Sequence, residues 1–351
     1  MQHQSVDHSL AHPDAYYAAS AWAEGEVLHV AAAYCNPCRW RSRRKLFNDF
    51  RRHVSSLPNV RLHVGEVAFG DRPFEVTSPG CPDDVQLRSR QELWFKENLL
   101  NLVIGRFPAD WRYGAVIDGD FQLTRQDLAL EAIQQLQHYD WVQLFSSYSD
   151  LGPRHQVLRT VPSFAARWLA GEISPRSAGR YYDTAAGPVR GSQGSQGSRG
   201  VGATGGAWGF RREAFDRVGG LLDTCILGSG DWHMAFGLIG QGGQPRQAGA
   251  CAELANCSDG YRRSILTWQR RAMAATRFNV GVVDCHAVHH FHGPKDARAY
   301  GTRWKILRDL AFDPYTDLSR DWQGLHQLTG EKPALRDAIR RYFRARNEDG
   351  Q

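Results

Sequence analysis

The stretch Ala115-Val-Ile-Asp-Gly-Asp-Phe-Gln-Leu123 contains an apolar run that ends in two carboxylates, Asp118 and Asp120, with one glycine between them. Alternate residues of a strand point to the same side, so an Asp-x-Asp at the end of a buried strand presents two hard oxygen ligands to one ion. Mg2+ or Mn2+ bound in this way keeps open positions for the phosphates of a substrate. The same residues also suit a β-turn whose aspartates cap backbone groups, and the motif alone leaves this alternative open.

The composition is that of an ordinary globular protein. The chain has 351 residues, of which 42% are hydrophobic, and this is ample for a packed core. No apolar segment approaches the roughly 20 residues needed to cross a bilayer, and the first 17 residues are polar and His-rich rather than signal-like. Seven cysteines without regular spacing suit reduced thiols. We therefore expect a cytoplasmic protein with no membrane span.

Strand and helix patterns alternate on both sides of the Asp-x-Asp motif. This alternation favours an α/β fold, with a mostly parallel sheet covered by helices on both faces. Ligands of such open sheets bind beyond the carboxyl ends of the strands, where Asp118 and Asp120 lie. The predicted strands cover 27–34, 60–69, 115–117, 141–147 and 280–283, and the predicted helices cover 39–54, 87–104, 125–138, 211–217, 231–239 and 332–346.

Changes in composition divide the chain. A Gly/Ser/Gln-rich stretch, which includes Gly191-Ser-Gln-Gly-Ser-Gln-Gly-Ser198, cannot form a core element and is expected to be a flexible loop. Such a loop is either a lid over a substrate or disordered filler, and both alternatives stay open. The expected division is a flexible N-terminus (1–25), one large domain (26–310) with halves 26–150 and 151–310 and the loop at 184–204, and a helical C-terminal tail (311–351).

A glycine-rich segment follows this loop. Gly205 and Gly206 let the backbone approach a ligand, and Trp208 offers a flat apolar face for a sugar ring. Asp231 ends a second glycine-rich turn and opens a helix, so it serves either as an N-cap or as a base that takes a proton from an acceptor hydroxyl. Both roles stay open for Asp231 at this level.

Histidines and lysines supply the remaining candidate groups. His286-Ala-Val-His-His-Phe-His292 has four histidines in seven residues, a density that points to a metal ligand rather than to packing. Lys295 follows closely and can hold a phosphate as a point charge. Lys96, on the helix before the Asp-x-Asp strand, either reaches a nucleotide or belongs to a solvated helix face.

Taken together, these segments resemble nucleotide-sugar-dependent glycosyltransferases of the GT-A fold over about residues 27–300. The resemblance implies a Rossmann-type, mixed and mostly parallel sheet with a helical C-terminal extension, a nucleotide-binding half at 26–150 and an acceptor half at 151–310. It is carried by Asp118-Gly-Asp120, Phe210-Arg-Arg-Glu-Ala-Phe-Asp-Arg-Val-Gly-Gly-Leu221, Leu227-Gly-Ser-Gly-Asp231 and His290-Phe-His-Gly-Pro-Lys295, in this order along the chain.

The resemblance also implies roles for individual residues. Asp118, Asp120 and His290, with His292 as substitute, would bind Mn2+ or Mg2+ on the diphosphate of the donor. Asp231 would be the base of an inverting hexosyltransferase-like reaction. Its surroundings lack the tryptophan and glutamate that are typical of inverting members, and in a retaining enzyme Asp231 would position donor or acceptor instead. The donor-binding candidates are Asn36, Arg41, Lys96, Asp118, Gly205, Gly206, Trp208 and Lys295.

Two other functions compete with sugar transfer. A nucleotidyl- or phosphotransferase would need a phosphate cradle such as Gly-x-x-x-x-Gly-Lys-Ser, which the sequence lacks. The net charge of +6 instead allows a nucleic-acid-binding protein, or a glycosyltransferase that modifies DNA, and both should bind duplexes with steep salt dependence. The donor sugar, the acceptor and the oligomeric state stay open. The basic residues cluster at Arg39, Arg41, Arg43, Arg44, Arg51 and Arg52, and at Arg336, Arg340, Arg341, Arg344 and Arg346.

Overall fold

A computed structural model describes residues 25–173, 201–240, 257–300 and 302–350. The predicted N-terminal segment 1–25, apart from its last residue, and residues 184–200 of the predicted loop lie outside the described residues. The strands are β1 (Leu28–Cys35), β2 (Val60–Phe69), β3 (Asp84–Ser89), β4 (Tyr113–Ile117), β5 (Phe121–Leu123), β6 (Trp141–Gln143), β7 (Ser147–Leu151), β8 (Val157–Pro162), β9 (Ala207–Arg211), β10 (Val280–Val282), β11 (His286–His289), β12 (Leu318–Arg320) and β13 (His326–Leu328). The helices are α1 (Arg41–Ser55), α2 (Lys96–Ile104), α3 (Leu128–His138), α4 (Phe164–Leu169), α5 (Arg212–Val218), α6 (Gly230–Leu238), α7 (Asp259–Thr276), α8 (Trp304–Asp309), α9 (Pro314–Asp317) and α10 (Pro333–Ala345).

The central sheet has the strand order β10-β6-β9-β4-β1-β2-β3. β9 runs antiparallel to β4 and β6, whereas the other neighbours are parallel. Alternate residues of β1 face opposite sides, so that Val30 and Ala32 enter the core beneath α1 and α3, while Ala31 enters the core beneath α2 and α7. The mixed, mostly parallel sheet flanked by helices is therefore confirmed.

A second sheet, with the strand order β5-β11-β7-β8, brings the histidine segment beside the Asp-x-Asp segment. β11 pairs antiparallel with β5 and parallel with β7, so His289 lies opposite both Phe121 and Asp150. The sequence places the four histidines after a strand, but His286 to His289 themselves form β11. This pairing sets the geometry of the candidate site.

Three predicted elements differ from the structure. The helix predicted over 87–104 begins only at Lys96, because burial alternates along Asp84–Ser89 and this segment joins the sheet as β3 beside β2. The strand predicted over 141–147 breaks after Gln143, where the chain leaves the central sheet and enters the second sheet at Ser147. The C-terminal tail predicted as helical over 311–351 also contains β12 and β13, which form a hairpin.

The C-terminal tail packs into the large core beneath α2. Phe312, Leu335, Ile339 and Phe343 are all buried there together with residues of the central sheet. The Asn98 side chain on α2 donates to the carbonyl of Gly324 at 3.2 Å and accepts from the amide of His326 at 3.0 Å. No helix in the described ranges is both long and apolar enough to cross a membrane.

Gly65→Ala is expected to destabilise the protein by about 1–3 kcal/mol, because Gly65 lies on β2 directly beneath α2. A Cβ at this position would lie 2.6 Å from Val103 Cγ2 and 2.8 Å from Leu99 Cδ1. Urea unfolding measures the change. Gly80→Ala is the matched control, since a Cβ at Gly80 meets nothing within 4 Å, and it should shift the free energy of unfolding by no more than about 0.5 kcal/mol. Equal stability of the two variants would contradict this account of the packing.

Candidate active site

The Asp118-Gly-Asp120 turn is fixed by three parts of the chain. The antiparallel pairing of β9 with β4 brings Gly206 beside Asp118, whose amide donates to the Gly206 carbonyl at 2.8 Å. The amide of His290 donates to the carbonyl of Asp120 at 2.9 Å. A Cβ on Gly119 would lie 2.5 Å from Phe47 Cδ2, so only glycine fits beneath this ring of α1. The turn is therefore held at the junction of the two sheets.

Asp120, His289 and His292 form the candidate metal cluster, with ligand atoms all within 4.8 Å of one another. Asp120 Oδ2 lies 2.8 Å from His292 Nε2 and 3.8 Å from His289 Nε2. The pKa of Asp120 lies well below its usual range, because the two imidazoles outweigh the opposing effect of burial. The carboxylate is therefore ionised and presents its charge to both rings.

The chemistry of this donor set fits a transition-metal dication. His292 Nε2 is buried and, among the described residues, makes no hydrogen bond, although it faces the Asp120 carboxylate at short range. A carboxylate and an imidazole nitrogen at this separation are placed as two ligands that share one ion would be. Two imidazole nitrogens and one carboxylate suit a transition-metal dication, Mn2+ among them, better than Mg2+, which prefers oxygen ligands only. The three residues thus fit Mn2+.

Asp150 orients His289 from behind. Its Oδ1 lies 2.7 Å from His289 Nδ1, and its other oxygen is bound by Arg159 Nε at 2.6 Å and by the Lys295 ammonium. Asp150 is 1% exposed, and despite burial its pKa is held well below the usual range by His289 and Lys295. A carboxylate at Nδ1 fixes the tautomer that directs the Nε2 lone pair toward a metal.

A second charged cluster involves Asp118, Lys96, Glu97 and Asp231. Lys96 Nζ lies 2.5 Å from Asp118 Oδ1, and although burial opposes it, Asp118 raises the pKa of Lys96 above its usual value. Burial raises the pKa of Asp118, and the charge of Asp120 adds to this shift. The Asp231 carboxylate contributes to the shifts of Lys96 and Glu97. These groups therefore form one electrostatic unit beside the candidate metal cluster.

Asp231 lies in the first turn of α6 with one oxygen directed at the glycine-rich segment. Its Oδ1 accepts from the Trp232 amide at 2.9 Å. A Cβ built on Gly205 would lie 2.3 Å from Asp231 Oδ2, so the glycine permits the carboxylate to approach this stretch of backbone. Gly205, Asp231, Lys96 and Asp118 thus lie together in the structure.

Two sequence-selected residues lie elsewhere. The ring of His290 points to Gln122, with Nε2 3.1 Å from Oε1, so the cluster contains His292 and the unforeseen His289 in its place. Trp208 is 8% exposed and donates from Nε1 to the Thr204 carbonyl at 2.8 Å. It therefore lacks the exposed ring face that a sugar platform requires.

The remaining donor-binding candidates lie in different surroundings. Asn36 is buried and closes the turn after β1, accepting from the Trp40 amide at 2.9 Å and donating to the Trp40 carbonyl at 3.0 Å. Arg41 is exposed at the start of α1. Gly206 has φ +97°, and a Cβ there would lie 2.9 Å from Phe121 Cζ. Lys295 is paired with Asp150, as described above.

His289, Asp150 and Glu97 were not selected from the sequence. His289 belongs to the histidine cluster at 286–292, but only the register of β11 against β7 shows that it faces Asp150. Glu97 follows Lys96 directly, and its sequence context does not reveal that it is 3% exposed. A period-two pattern through the histidine segment is the one available signal, since it would separate His290 from His289.

Glu97→Gln is expected to flatten the pH dependence of stability. Burial raises the pKa of Glu97 from 4.5 to about 7, with further help from Asp231 and against Lys96. The folded protein thus binds the proton more tightly than the unfolded chain, so the free energy of unfolding falls as pH rises from about 4.5 to about 7. This loss is on the order of 3 kcal/mol and should be absent from the variant.

Urea unfolding at several pH values between 4.5 and 8 checks this expectation. Wild type should lose stability from pH 4.5 to about pH 7 and level off by pH 8, while Glu97→Gln should lose less. The exposed Glu213→Gln serves as control and should follow the wild-type curve. Parallel curves for wild type and Glu97→Gln would contradict the assignment.

No protein-family model matches the chain, and no curated protein matches it either. Among solved structures the chain is similar to a mannosyltransferase from Pyrobaculum calidifontis in complex with GDP-Man and Mn2+. The sequence identity is 14% and the TM-score is 0.35, with 85% of this chain and 69% of that chain covered. A likeness of this size is not evidence of activity.

Proposed function

We propose that the protein is a metal-dependent glycosyltransferase that moves a sugar from a nucleotide-diphosphate sugar to an acceptor hydroxyl. One observation carries the proposal: a carboxylate and two imidazoles converge at the junction of the sheets, next to the Lys96–Asp118 pair and Asp231. This arrangement combines a cation site for a diphosphate with a carboxylate suited to proton transfer. The position at the carboxyl end of β4 is where open α/β sheets bind their ligands.

Asp120, His289 and His292 would hold the dication, with Asp150 behind His289. A bound Mn2+ would supply positive charge beside the leaving diphosphate. The Lys96 ammonium, kept charged by Asp118, would add to that charge from the first turn of α2. Lys295 would act through Asp150 rather than on the phosphate, because it belongs with Arg159 to the cations that surround the buried carboxylate behind His289.

Asp231 would accept the proton of the acceptor hydroxyl. The acceptor oxygen forms a bond to the anomeric carbon as the bond from that carbon to the diphosphate breaks, and the proton passes to Asp231 Oδ2 while the nucleotide leaves with both bonding electrons. The Trp232 amide holds Oδ1 and so orients the carboxylate, and Gly205 leaves room beside Oδ2. Such a displacement inverts the anomeric configuration.

A screen of nucleotide sugars tests the proposal. Purified protein is incubated with UDP- and GDP-linked sugars in the presence of Mn2+, and release of the free nucleoside diphosphate is measured with and without a chelator. Slow hydrolysis of at least one donor, abolished by the chelator, is the expected result because water can replace the acceptor. Hydrolysis of no donor would count against the proposal.

The basic surface offers a second candidate, the binding of a nucleic acid. Arg41, Arg44, Lys45 and Arg52 line an open groove on the outer face of α1, together with Asn48 and Asp49. Other members of the basic clusters serve within the fold, since Arg43 pairs with Glu348, Arg51 with Asp84, and Arg344 with Glu92. A duplex bound at this groove should dissociate steeply as salt rises, and salt-independent binding would exclude this candidate.

A further inference from the structure

The C-terminal segment Arg346–Asp349 packs directly against the histidine segment. Gly293 follows His292 with φ +87°, and a Cβ there would lie 2.7 Å from the Asn347 carbonyl oxygen and 2.7 Å from Glu348 Cα. No side chain larger than glycine fits at this contact without displacing backbone. The segment Arg346–Asp349 therefore packs closely against the turn that contains His292 and Gly293.

Glu348 brings a buried charge to this contact. It is 1% exposed, and it accepts from Arg43 Nε at 2.8 Å and Nη2 at 2.6 Å, and from Arg346 Nε at 2.7 Å. Its Oε2 lies 3.6 Å from Nδ1 of His292. The pKa of Glu348 is held well below its usual range, against burial, first by Arg43 and then by His292 and Arg346. A buried carboxylate of this kind is weak evidence for added stability, because desolvation offsets much of the ionic attraction.

The segment is also anchored to the start of α1. Asp349 accepts from the amides of Arg41 at 3.0 Å and Ser42 at 2.8 Å, and Ser42 Oγ donates to the Glu348 carbonyl at 2.9 Å. Arg43, one residue further along α1, binds Glu348 itself. These contacts fix the Glu348 backbone and side chain independently of His292.

We propose that Glu348 is a positioning residue of the metal site and acts through His292. A carboxylate opposite Nδ1 favours the tautomer with its proton on Nδ1, which leaves the Nε2 lone pair directed toward Asp120 and the ion. Asp150 has the corresponding place behind His289, so each imidazole of the cluster has its own buried carboxylate. The C-terminal tail is thus part of the site. This inference rests on the proposed metal cluster.

Titration with Mn2+ alone, followed by the EPR signal of the free ion, tests the inference without an activity assay. Glu348→Gln is expected to weaken Mn2+ binding by about 10- to 100-fold. Asp337→Asn is the matched control, because this carboxylate lies on α10 of the same tail and pairs with Arg336 at the surface, and it should bind Mn2+ as wild type does. Glu348→Asp keeps the charge for Arg43 and Arg346 but withdraws it from the imidazole, so it should fold and still bind Mn2+ less tightly.

A double-mutant cycle separates positioning from a general structural role. If Glu348 acts through His292, then Glu348→Gln should have no further effect on Mn2+ affinity in a His292→Ala background. Equal losses in both backgrounds, or wild-type affinity of Glu348→Gln and Glu348→Asp, would overturn the inference and leave the proposed function standing. Absence of Mn2+ binding by wild type would instead overturn the metal cluster, and this inference with it.

Discussion

Asp231→Asn is expected to abolish sugar transfer while leaving donor binding nearly intact. The amide retains the size of the carboxylate and its contact with the Trp232 amide, but it cannot take the proton from the acceptor. The expected loss in kcat is about 10²- to 10⁴-fold, the usual contribution of a general base. Transfer is measured by product formation and donor binding by calorimetry, on the same preparations.

Asp259→Asn is the matched control for this variant. Asp259 also lies in the first turn of a helix, α7, but its side chain is 82% exposed and it pairs with Arg262. It should keep wild-type kcat. Loss of donor binding by Asp231→Asn would place this residue on the donor side of the site, and unchanged transfer would remove it from the mechanism.

His289→Ala and His292→Ala are each expected to weaken Mn2+ binding by at least about a hundredfold, beyond the usual effect of an outer-sphere partner. Each removes one of two nitrogens whose ligand atoms converge with Asp120. His290→Ala is the decisive comparison, since its ring faces Gln122 and the substitution keeps the backbone amide that donates to the Asp120 carbonyl. It should bind Mn2+ about as well as wild type.

Mn2+ titrations of the three variants separate the two possible ligand sets. Loss of Mn2+ affinity in His290→Ala alone would make His290 the metal ligand, as the resemblance implies, and would contradict the cluster in the structure. Wild-type Mn2+ affinity in all three variants would show that the histidines do not bind the ion. Circular dichroism should confirm that each variant keeps the wild-type fold.

The alternation of strands and helices around Ala115–Leu123 was sufficient to predict the sheet, because buried parallel strands appear as apolar runs between amphipathic helices. The sequence did not predict β3. Val85 and Leu87 have the period of a strand, but they lie close to Leu93 and Trp94, whose spacing with Leu100 is helical. The second sheet was also not predicted from the sequence. Strands of three to six residues, such as β5 and β11, depend on pairing partners that are distant in sequence.

The candidate site was predictable in its residue types but not in its pairings. Asp118 and Asp120 share a turn, yet Asp118 pairs with Lys96, whereas Asp120 lies beside His289 and His292. Which histidine meets Asp120 depends on the register of β11, and a shift of one residue would exchange His289 for His290. The approach of Glu348 to His292 depends on the docking of the C-terminal tail against α1, and Glu348 lies 305 residues from its partner Arg43. The docking of the tail leaves no local signature in the sequence, and the register of β11 leaves only the period-two pattern of the histidine segment.

Hydrolysis of a nucleotide sugar by wild type and Asp120→Ala, measured side by side over a range of Mn2+ concentrations, tests the central claim most directly. Asp127→Asn is the control, because this aspartate is half exposed and pairs with Arg125 away from the cluster. We expect Mn2+-dependent hydrolysis by wild type and by the control, and no hydrolysis by Asp120→Ala at any Mn2+ concentration at which wild type is active. Equal, Mn2+-dependent hydrolysis by Asp120→Ala would contradict the claim.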